Sequence, residues 1–486
     1  MQVVNSNQSN HNDLICEKTE MLRILENQKK AYLNDPYPSV AVRENRISRV
    51  IDLLVDNEYK LCEAVQEDYG RRHIDATRMQ EIMAPIGSLK YARKHVKKWL
   101  KRDKRKSSFP FNLMGADSYV KHVPLGVVGN VSPWNFPVAL SLGPLGGILA
   151  GGNRVILKPS ELTPATSSVL AETIRERFEE DEIAVILGGP ETASIFTSLP
   201  FDHLLFTGST TIGQCVMRSA AENLVPTTLE LGGKSPVFIA EDIVDIDSVA
   251  QKIAFAKTAN AGQICIAPDY ILLTEKHREP FIKAYSKAIN AMFAKGENSE
   301  FLTNIISEKH SQRLKTLLEE SESSGNRVIS LLESNDQNSD PRCVAPMIVE
   351  VQNPDCRLMK EEIFGPLLPI VPVQNTQQAV EFINDKSKPL ALYLFSKNNA
   401  LIETVSNEVA CGGMVVNDLL LHFLQDDMPF GGVGASGIGA YHGVEGFKQF
   451  THAKSVFKAP GISLSKFLKP PYGNLYRQIL KHEISK

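Results

Sequence analysis

The sequence predicts an α/β protein carrying two parallel sheets wrapped by helices. From residue 125, short apolar runs at 127–131, 155–157, 183–187 and 203–206 alternate with segments of helical length. Strands buried on both faces and crossed by helices read this way, and the architecture they build is the doubly wound, Rossmann-type nucleotide-binding sheet. A second series follows Gly232, with runs at 237–239, 271–273, 347–351, 368–371, 391–395 and 414–416 and helices near 246–258, 279–292 and 311–322. That series predicts a second α/β domain.

The segment before the first sheet is helical. Residues 40–66 and 76–100 are amphipathic, and Ile47, Val50, Ile51, Leu54 and Val55 form one apolar stripe. The basic run 97–106 contains Trp99 without regular aromatic interleaving, so it reads as a solvated helix end and not as a nucleic-acid site. The first 18 residues, rich in Asn, Ser and Gln at their start, read as a mobile tail without the apolar core of a signal peptide. Residues 123–153 carry no charge and are long enough to span a bilayer. Four prolines and seven glycines interrupt them, which predicts a buried strand–loop–helix unit instead. Residues 323–341, rich in Ser, Asn and Asp, read as an exposed loop.

Composition narrows the function classes. The chain has 486 residues, 43% hydrophobic and 22% charged, as expected of a multidomain soluble protein. A net charge of −3 offers no general attraction to nucleic acid or to an anionic membrane. Seven cysteines without a CxxC pair or metal-ligand spacing argue against a disulfide framework and against a metal site, and favour a reducing cytoplasm.

The chemistry-bearing motifs lie at predicted strand ends. Ser132-Pro133-Trp134-Asn135-Phe136-Pro137 is a turn stiffened by two prolines, able to hold an Asn amide still as a donor to an oxyanion. Lys158 and Glu161 stand after the next strand, where they could bond the ribose hydroxyls of an adenine nucleotide or simply pair on the surface. Gly208, Ser209 and Gly213 occupy a strand-to-helix turn, where a diphosphate can approach main-chain N–H groups. Glu230 and Leu231 close an apolar strand before a Gly-Gly turn, and burial there would raise the carboxyl toward general-base range. Cys265 follows Asn260-Ala261-Gly262-Gln263-Ile264, a thiol beside a Gly-Gln turn. Glu362 and Phe364 lie in Glu361-Glu362-Ile363-Phe364-Gly365-Pro366, and a glycine-dense loop spans 429–437.

Taken together, in this order and with an interval of 35 positions from Glu230 to Cys265, these motifs resemble the NAD(P)-dependent aldehyde dehydrogenases over about residues 40–458. Ala267-Pro268-Asp269-Tyr270 and Tyr441-His442-Gly443 resemble the dimeric class 3 branch. The resemblance implies a cofactor domain from residues 19–117 and 125–231 and a catalytic domain from 232–417. It implies an oligomerisation extension from 118–124 and 418–486 that includes a substrate-lining loop and the C-terminal tail. Cys265 matches the nucleophile. Asn135 and the Cys265 N–H match the oxyanion donors, and Glu230 matches the base for water. Lys158 and Glu161 match adenosine-ribose contacts, and Trp134 and Ser209 match diphosphate contacts. Glu362 matches the nicotinamide-ribose ligand, with Phe364 beside the nicotinamide.

The implied reaction oxidises an aldehyde to a carboxylic acid through a cysteine thiohemiacetal and thioester. Glu230 favours hydrolysis over acyl transfer to coenzyme A, and the full set of groups argues against a non-catalytic nucleotide-binding protein on the same fold. The apolar run 419–424 either lines the substrate channel or fills core; the lining reading favours an apolar or aromatic aldehyde, and the resemblance implies one of the coniferyl type. Glu161 would repel a 2′-phosphate, which favours NAD, with NADP as an alternative. Pairing of residues 118–123 with 453–458 and the class 3 likeness imply a soluble homodimer. The tail 464–486 mixes Lys466, Lys469, Arg477 and Lys481 with apolar residues and lacks a long apolar anchor.

Overall fold

The computed structural model describes residues 3–109, 111–332, 340–461 and 469–485. Among the described residues, sixteen strands form three sheets. They are β1 (Asp103–Arg105), β2 (Asp117–Pro124), β3 (Val127–Val131), β4 (Arg154–Lys158), β5 (Ile183–Val185), β6 (His203–Thr207), β7 (Thr227–Glu230) and β8 (Pro236–Ile239). The chain continues with β9 (Tyr270–Leu273), β10 (Arg327–Ser330), β11 (Met347–Glu350), β12 (Leu367–Pro372), β13 (Ala391–Phe395), β14 (Gly413–Val416), β15 (Gly437–Ile438) and β16 (Thr451–Lys458).

The first sheet runs β15-β7-β6-β3-β4-β5, and all its pairs are parallel except β15 with β7. Every residue of β3, β4 and β6 is buried. Helices on both faces exclude water from these strands, which is why they read as continuous apolar runs and not as alternating ones. The second sheet runs β10-β11-β12-β9-β8-β13-β14 and is parallel apart from its edge pair β10–β11. A third, antiparallel sheet, β1-β2-β16, pairs Ser118 with Phe457 and Val123 with His452, close to the predicted extension. The uncharged segment after Pro124 is β3, a turn and two short helices, Ala139–Leu142 and Leu145–Gly151, all largely buried.

Several predicted elements change. The helix over 40–66 is two helices, Val40–Asp56 and Glu58–Tyr69. The chain leaves helical geometry at Asn57, with φ −112° and ψ 19°, and the Asn57 side-chain amide joins its own N–H on the main-chain oxygen of Leu53, at 3.0 Å. The helix over 76–100 is also divided, with a π-helical turn at Arg78–Met83 leading into Ala84–Trp99. Pro85 lacks an N–H for the oxygen four residues back, and the Ala84 N–H reaches back to Met79 O instead. Within the basic run, Asp103–Arg105 is an exposed edge strand and not a helix end. The expected N-terminal tail is the first half of a long helix, Val3–Asn34, whose Met21, Ile24 and Leu25 bury against Val127 and Ile156. That apolar anchor downstream lets the helix propagate back into the polar start. The expected loop over 323–341 contains β10, and its residues 333–339 lie outside the described ones. In the C-terminal tail, Asn474–Ile484 is a helix, whereas Lys466 lies outside the described residues.

Candidate active site

The loop carrying Cys265 is wound left-handed. Asn260, Ala261 and Gly262 have φ of 48°, 53° and 72° in succession. Two of these are not glycine, and such a run costs of order 1–3 kcal/mol per residue unless the surroundings hold it. Gln263, wholly buried, does the holding. Its Nε2 donates to Asn260 O at 2.9 Å and to Asn304 O at 3.1 Å, while its Oε1 accepts from the Ile306 N–H at 3.0 Å. Beyond the cysteine, the Tyr393 hydroxyl donates to Ile266 O at 2.5 Å. Gly262 is required by contact as well as by conformation: a Cβ there would lie 2.4 Å from Gly365 O.

Cys265 emerges from this loop half-buried and free. Burial, then Glu362 and Glu230, push its thiol up to about 12, while the N–H groups of Cys265 and Ile266 favour the charged sulfur. The structure thus brings two of the predicted carboxylates into the electrostatic range of the predicted nucleophile.

Glu230 ends β7, where it pairs with Thr207 on one side and Gly437 on the other. It is 3% exposed, and neither carboxylate oxygen has a hydrogen-bond partner. Burial raises it well above the usual carboxylate range. An unsatisfied buried carboxyl is rare in folded proteins and needs a reason.

Asn135 follows β3 in the proline-flanked turn. One N–H of its amide donates to Gln263 O at 3.0 Å, which leaves the second for another acceptor. Its main-chain oxygen accepts from Asn260 Nδ2 at 3.0 Å, the Tyr69 hydroxyl at 3.1 Å and Arg72 at 3.3 Å.

Glu362 reaches the Gly233 N–H, and burial followed by the charge of Asp269 raises it to about 8. A Cβ on Gly232 would lie 2.2 Å from Glu362 Oε2, so the Gly-Gly turn makes room for this carboxylate. The loop is pinned from below. The Ile363 N–H donates to Asp269 Oδ1 at 2.9 Å, Asp269 pairs with Lys234, and Lys234 also bonds Leu358 O and Glu361 O. Phe364, at φ 49°, meets Trp134 edge-on at 5.3 Å between ring centres.

At the carboxyl ends of the first sheet, Lys158 is 1% exposed, with Nζ 4.0 Å from Glu161 and bonded to Pro159 O at 2.9 Å. Glu161 itself is exposed. Ser209 caps the helix Thr210–Ala221, its hydroxyl accepting from the Ile212 N–H. Gly213 lets that helix lie against Leu231: a Cβ would come within 2.6 Å of Leu231 Cδ2. A Cβ on Gly208 would meet the Phe206 ring at 2.6 Å. An exposed cap at a helix N-terminus, a buried lysine at the neighbouring strand end and a protonated carboxyl beyond Gly232 suit an elongated anionic ligand laid across the sheet edge.

The run 419–424 divides between the two readings offered for it. Leu419 is core, Leu421 and Leu424 are exposed, and Phe423 meets Phe430 and His442, each with ring centres 5.1 Å apart. Tyr441, buried and within the electrostatic reach of Glu230 and Cys265, joins this aromatic cluster. Tyr69, Arg72, Glu81, Lys234 and Asp269 were not singled out from the sequence. Lys234 and Asp269 lie within motifs noted for their neighbours Glu230 and Cys265; the other three carry no local signal.

The sequence pattern of the Aldehyde dehydrogenase family matches residues 16–456. The chain belongs to this family. Among curated relatives, it is 41% identical to a probable coniferyl aldehyde dehydrogenase of Caulobacter vibrioides, over 97% of this chain and 98% of that one. It is also 41% identical to a coniferyl aldehyde dehydrogenase of a Pseudomonas strain, over 94% of each. Among solved structures, a substrate-bound aldehyde dehydrogenase of Staphylococcus aureus matches with TM-score 0.88 and 35% identity, covering 95% of this chain and 99% of that one. The Mycobacterium tuberculosis aldehyde dehydrogenase complexed with NAD+ matches with TM-score 0.82 and 28% identity, covering 92% and 91%. As a member, the chain is an oxidoreductase that oxidises aldehydes. Among the described residues, no cluster of His, Cys, Asp or Glu could hold a metal ion, and no helix is long and apolar enough to cross a membrane.

Proposed function

We propose that this aldehyde dehydrogenase converts aromatic or apolar aldehydes of the coniferyl type to carboxylic acids with NAD, using Cys265, Glu230 and Asn135. The observation that carries the residue assignment is the buried, unpartnered Glu230 carboxyl within electrostatic range of Cys265. The aromatic cluster of Phe423, Phe430, Tyr441 and His442, together with the coniferyl aldehyde dehydrogenases at 41% identity, supports the substrate class.

In the proposed mechanism, the Cys265 thiolate adds to the aldehyde carbon, and the carbonyl oxygen takes the negative charge. The free N–H of Asn135 and the Cys265 N–H receive that oxygen. Donors fixed in advance serve this purpose best, and losing one typically costs roughly 10² to 10³ in rate. NAD, when bound, supplies the hydride acceptor that turns the adduct into a thioester. Trp134, Lys158, Glu161, Gly208, Ser209, Gly213, Leu231, Glu362 and Phe364 line its proposed site, and the exposed carboxylate of Glu161 disfavours a 2′-phosphate. Glu230, once ionised, takes a proton from water. The hydroxide adds to the thioester carbon, the C–S bond breaks, and the sulfur leaves as thiolate.

We further propose a cytoplasmic homodimer, with the paired strands β2 and β16 as the joining extension. The test of function is a panel of cinnamyl-type and straight-chain aldehydes, read as NADH formation with NAD and with NADP. The expected result is a higher kcat/KM for the cinnamyl type with NAD. Equal or better use of straight-chain aldehydes would overturn the substrate assignment.

A further inference from the structure

The turn that carries Asn135 is poor in main-chain hydrogen bonds of its own, because Pro133 and Pro137 have no N–H to give. Besides its bonds to Asn260 and Gln263, it is held from the helical segment before the first sheet. Arg72 and Glu81 form an ion pair at 2.9 Å with both side chains 0% exposed. Arg72 Nη1 also donates to Asn135 O at 3.3 Å, and Nη2 donates to Gln80 at 3.1 Å. The guanidinium lies over the rings of Tyr69, at 4.9 Å, and Phe136, at 5.3 Å. Glu81 Oε2 accepts from the N–H groups of Val138 at 3.1 Å and Ala139 at 2.9 Å. The pair therefore grips both ends of the same five-residue stretch, Arg72 at residue 135 and Glu81 at residues 138 and 139. Glu81 itself sits on the π-helical turn Arg78–Met83.

A buried ion pair is a poor way to stabilise a fold, because desolvating the two charges offsets their attraction and apolar residues would serve as well. It is a good way to fix a main-chain segment that cannot fix itself. We infer that Arg72 and Glu81 are positioning residues for the oxyanion step, a clamp that orients the Asn135 amide toward the aldehyde oxygen. This inference rests on the proposed role of Asn135.

The test is single-turnover NADH formation, with enzyme in excess over aldehyde, in Arg72→Lys, Glu81→Gln, Asn135→Ala and the double variant Arg72→Lys/Asn135→Ala. Lysine keeps the charge but cannot reach Glu81, Gln80 and Asn135 O with one planar fork. Asn135→Ala is expected to slow the turnover roughly 10² to 10³-fold. Arg72→Lys and Glu81→Gln are each expected to slow it roughly tenfold or more, with KM for NAD unchanged. In the double variant, Arg72→Lys is expected to add nothing to the loss from Asn135→Ala, because a clamp has no effect once its cargo is gone. Losses that multiply in the double variant, or wild-type turnover in both clamp variants, would overturn the clamp while leaving the site assignment standing. Wild-type turnover in Asn135→Ala alone would overturn the oxyanion assignment and the clamp with it. If Arg72→Lys fails to fold, Glu81→Gln combined with Asn135→Ala makes the same comparison from the other end of the pair.

Discussion

The amide of Asn135, in the turn after β3, donates to the main-chain oxygen of Gln263 at 3.0 Å, two residues before Cys265. The bond ties the turn after β3 of the first sheet to the loop that leads into β9 of the second. The amide from the turn after β3 is thereby set beside the loop that carries Cys265, the proposed nucleophile, and the geometry around the sulfur depends on both.

Cys265→Ala is expected to abolish aldehyde oxidation while NAD binding, followed by protein fluorescence quenching, stays within about threefold of wild type. Glu230→Gln is expected to slow thioester hydrolysis by roughly 10² to 10⁴, the usual contribution of a positioned base, and to affect the first NADH released far less. A steady-state rate equal to wild type in either variant would refute its assignment.

The Cys265 thiol, held near 12 by burial and its carboxylate neighbours, should react slowly with iodoacetamide at neutral pH in the free protein. Its alkylation rate is expected to climb by about tenfold per pH unit without levelling by about pH 10, because the thiolate fraction rises in that proportion. Mass spectrometry of the peptide containing Cys265 reads this directly. A plateau near neutrality would mean that the free protein already stores a thiolate.

Glu362 titrates near 8 when folded, against an ordinary carboxyl value when unfolded. The folded state therefore holds this proton more tightly. The stability linked to it is fully present below the unfolded pKa of about 4.3 and is lost as pH rises through about 8. Wild type is expected to lose more Tm between about pH 5 and pH 9 than Glu362→Gln, which has no such proton to release. Parallel losses in the two proteins, followed by calorimetry, would assign the pH dependence to other groups.

Gly262→Ala places a methyl group 2.4 Å from Gly365 O at a φ of 72°. Backbone strain alone costs about 1–3 kcal/mol, and the clash adds to it. The variant is expected to lose activity together with stability, and urea unfolding should show the lower midpoint. Full activity at wild-type stability would show that the loop relaxes more freely than its hydrogen bonds imply.

Much of this was legible in the sequence for one reason: strands buried on both faces leave unbroken apolar runs. β3 and β13 fall where those runs do, and the catalytic candidates stand at the strand ends. What stayed hidden was long-range and polar. Arg72 and Glu81 sit among other charged residues and look solvated until the fold buries them. Asn57 and Pro85 divide helices whose apolar stripes run on regardless, because periodicity reports the buried face and not the hydrogen-bond ladder. β10 is a partly exposed edge strand, so it lacks the apolar run that marks its neighbours. The N-terminal helix is hidden for the opposite reason, since its anchor lies at Met21, Ile24 and Leu25, beyond the polar stretch that reads as a tail.

The strand that ends in Glu230 takes its outer neighbour, β15, from residues 437–438, and β2 takes its partner from residues 451–458. A ribosome therefore finishes more than four hundred residues before either pairing can form. Through most of synthesis, β7 is an open sheet edge and Glu230 lacks the wall that buries it. On the nascent chain the carboxyl has no β15 beside it, and that neighbour arrives only when the last tenth of the protein folds back. Truncation before residue 437 thus removes more than a tail: it leaves the Cys265 loop in place and takes away the strand beside Glu230.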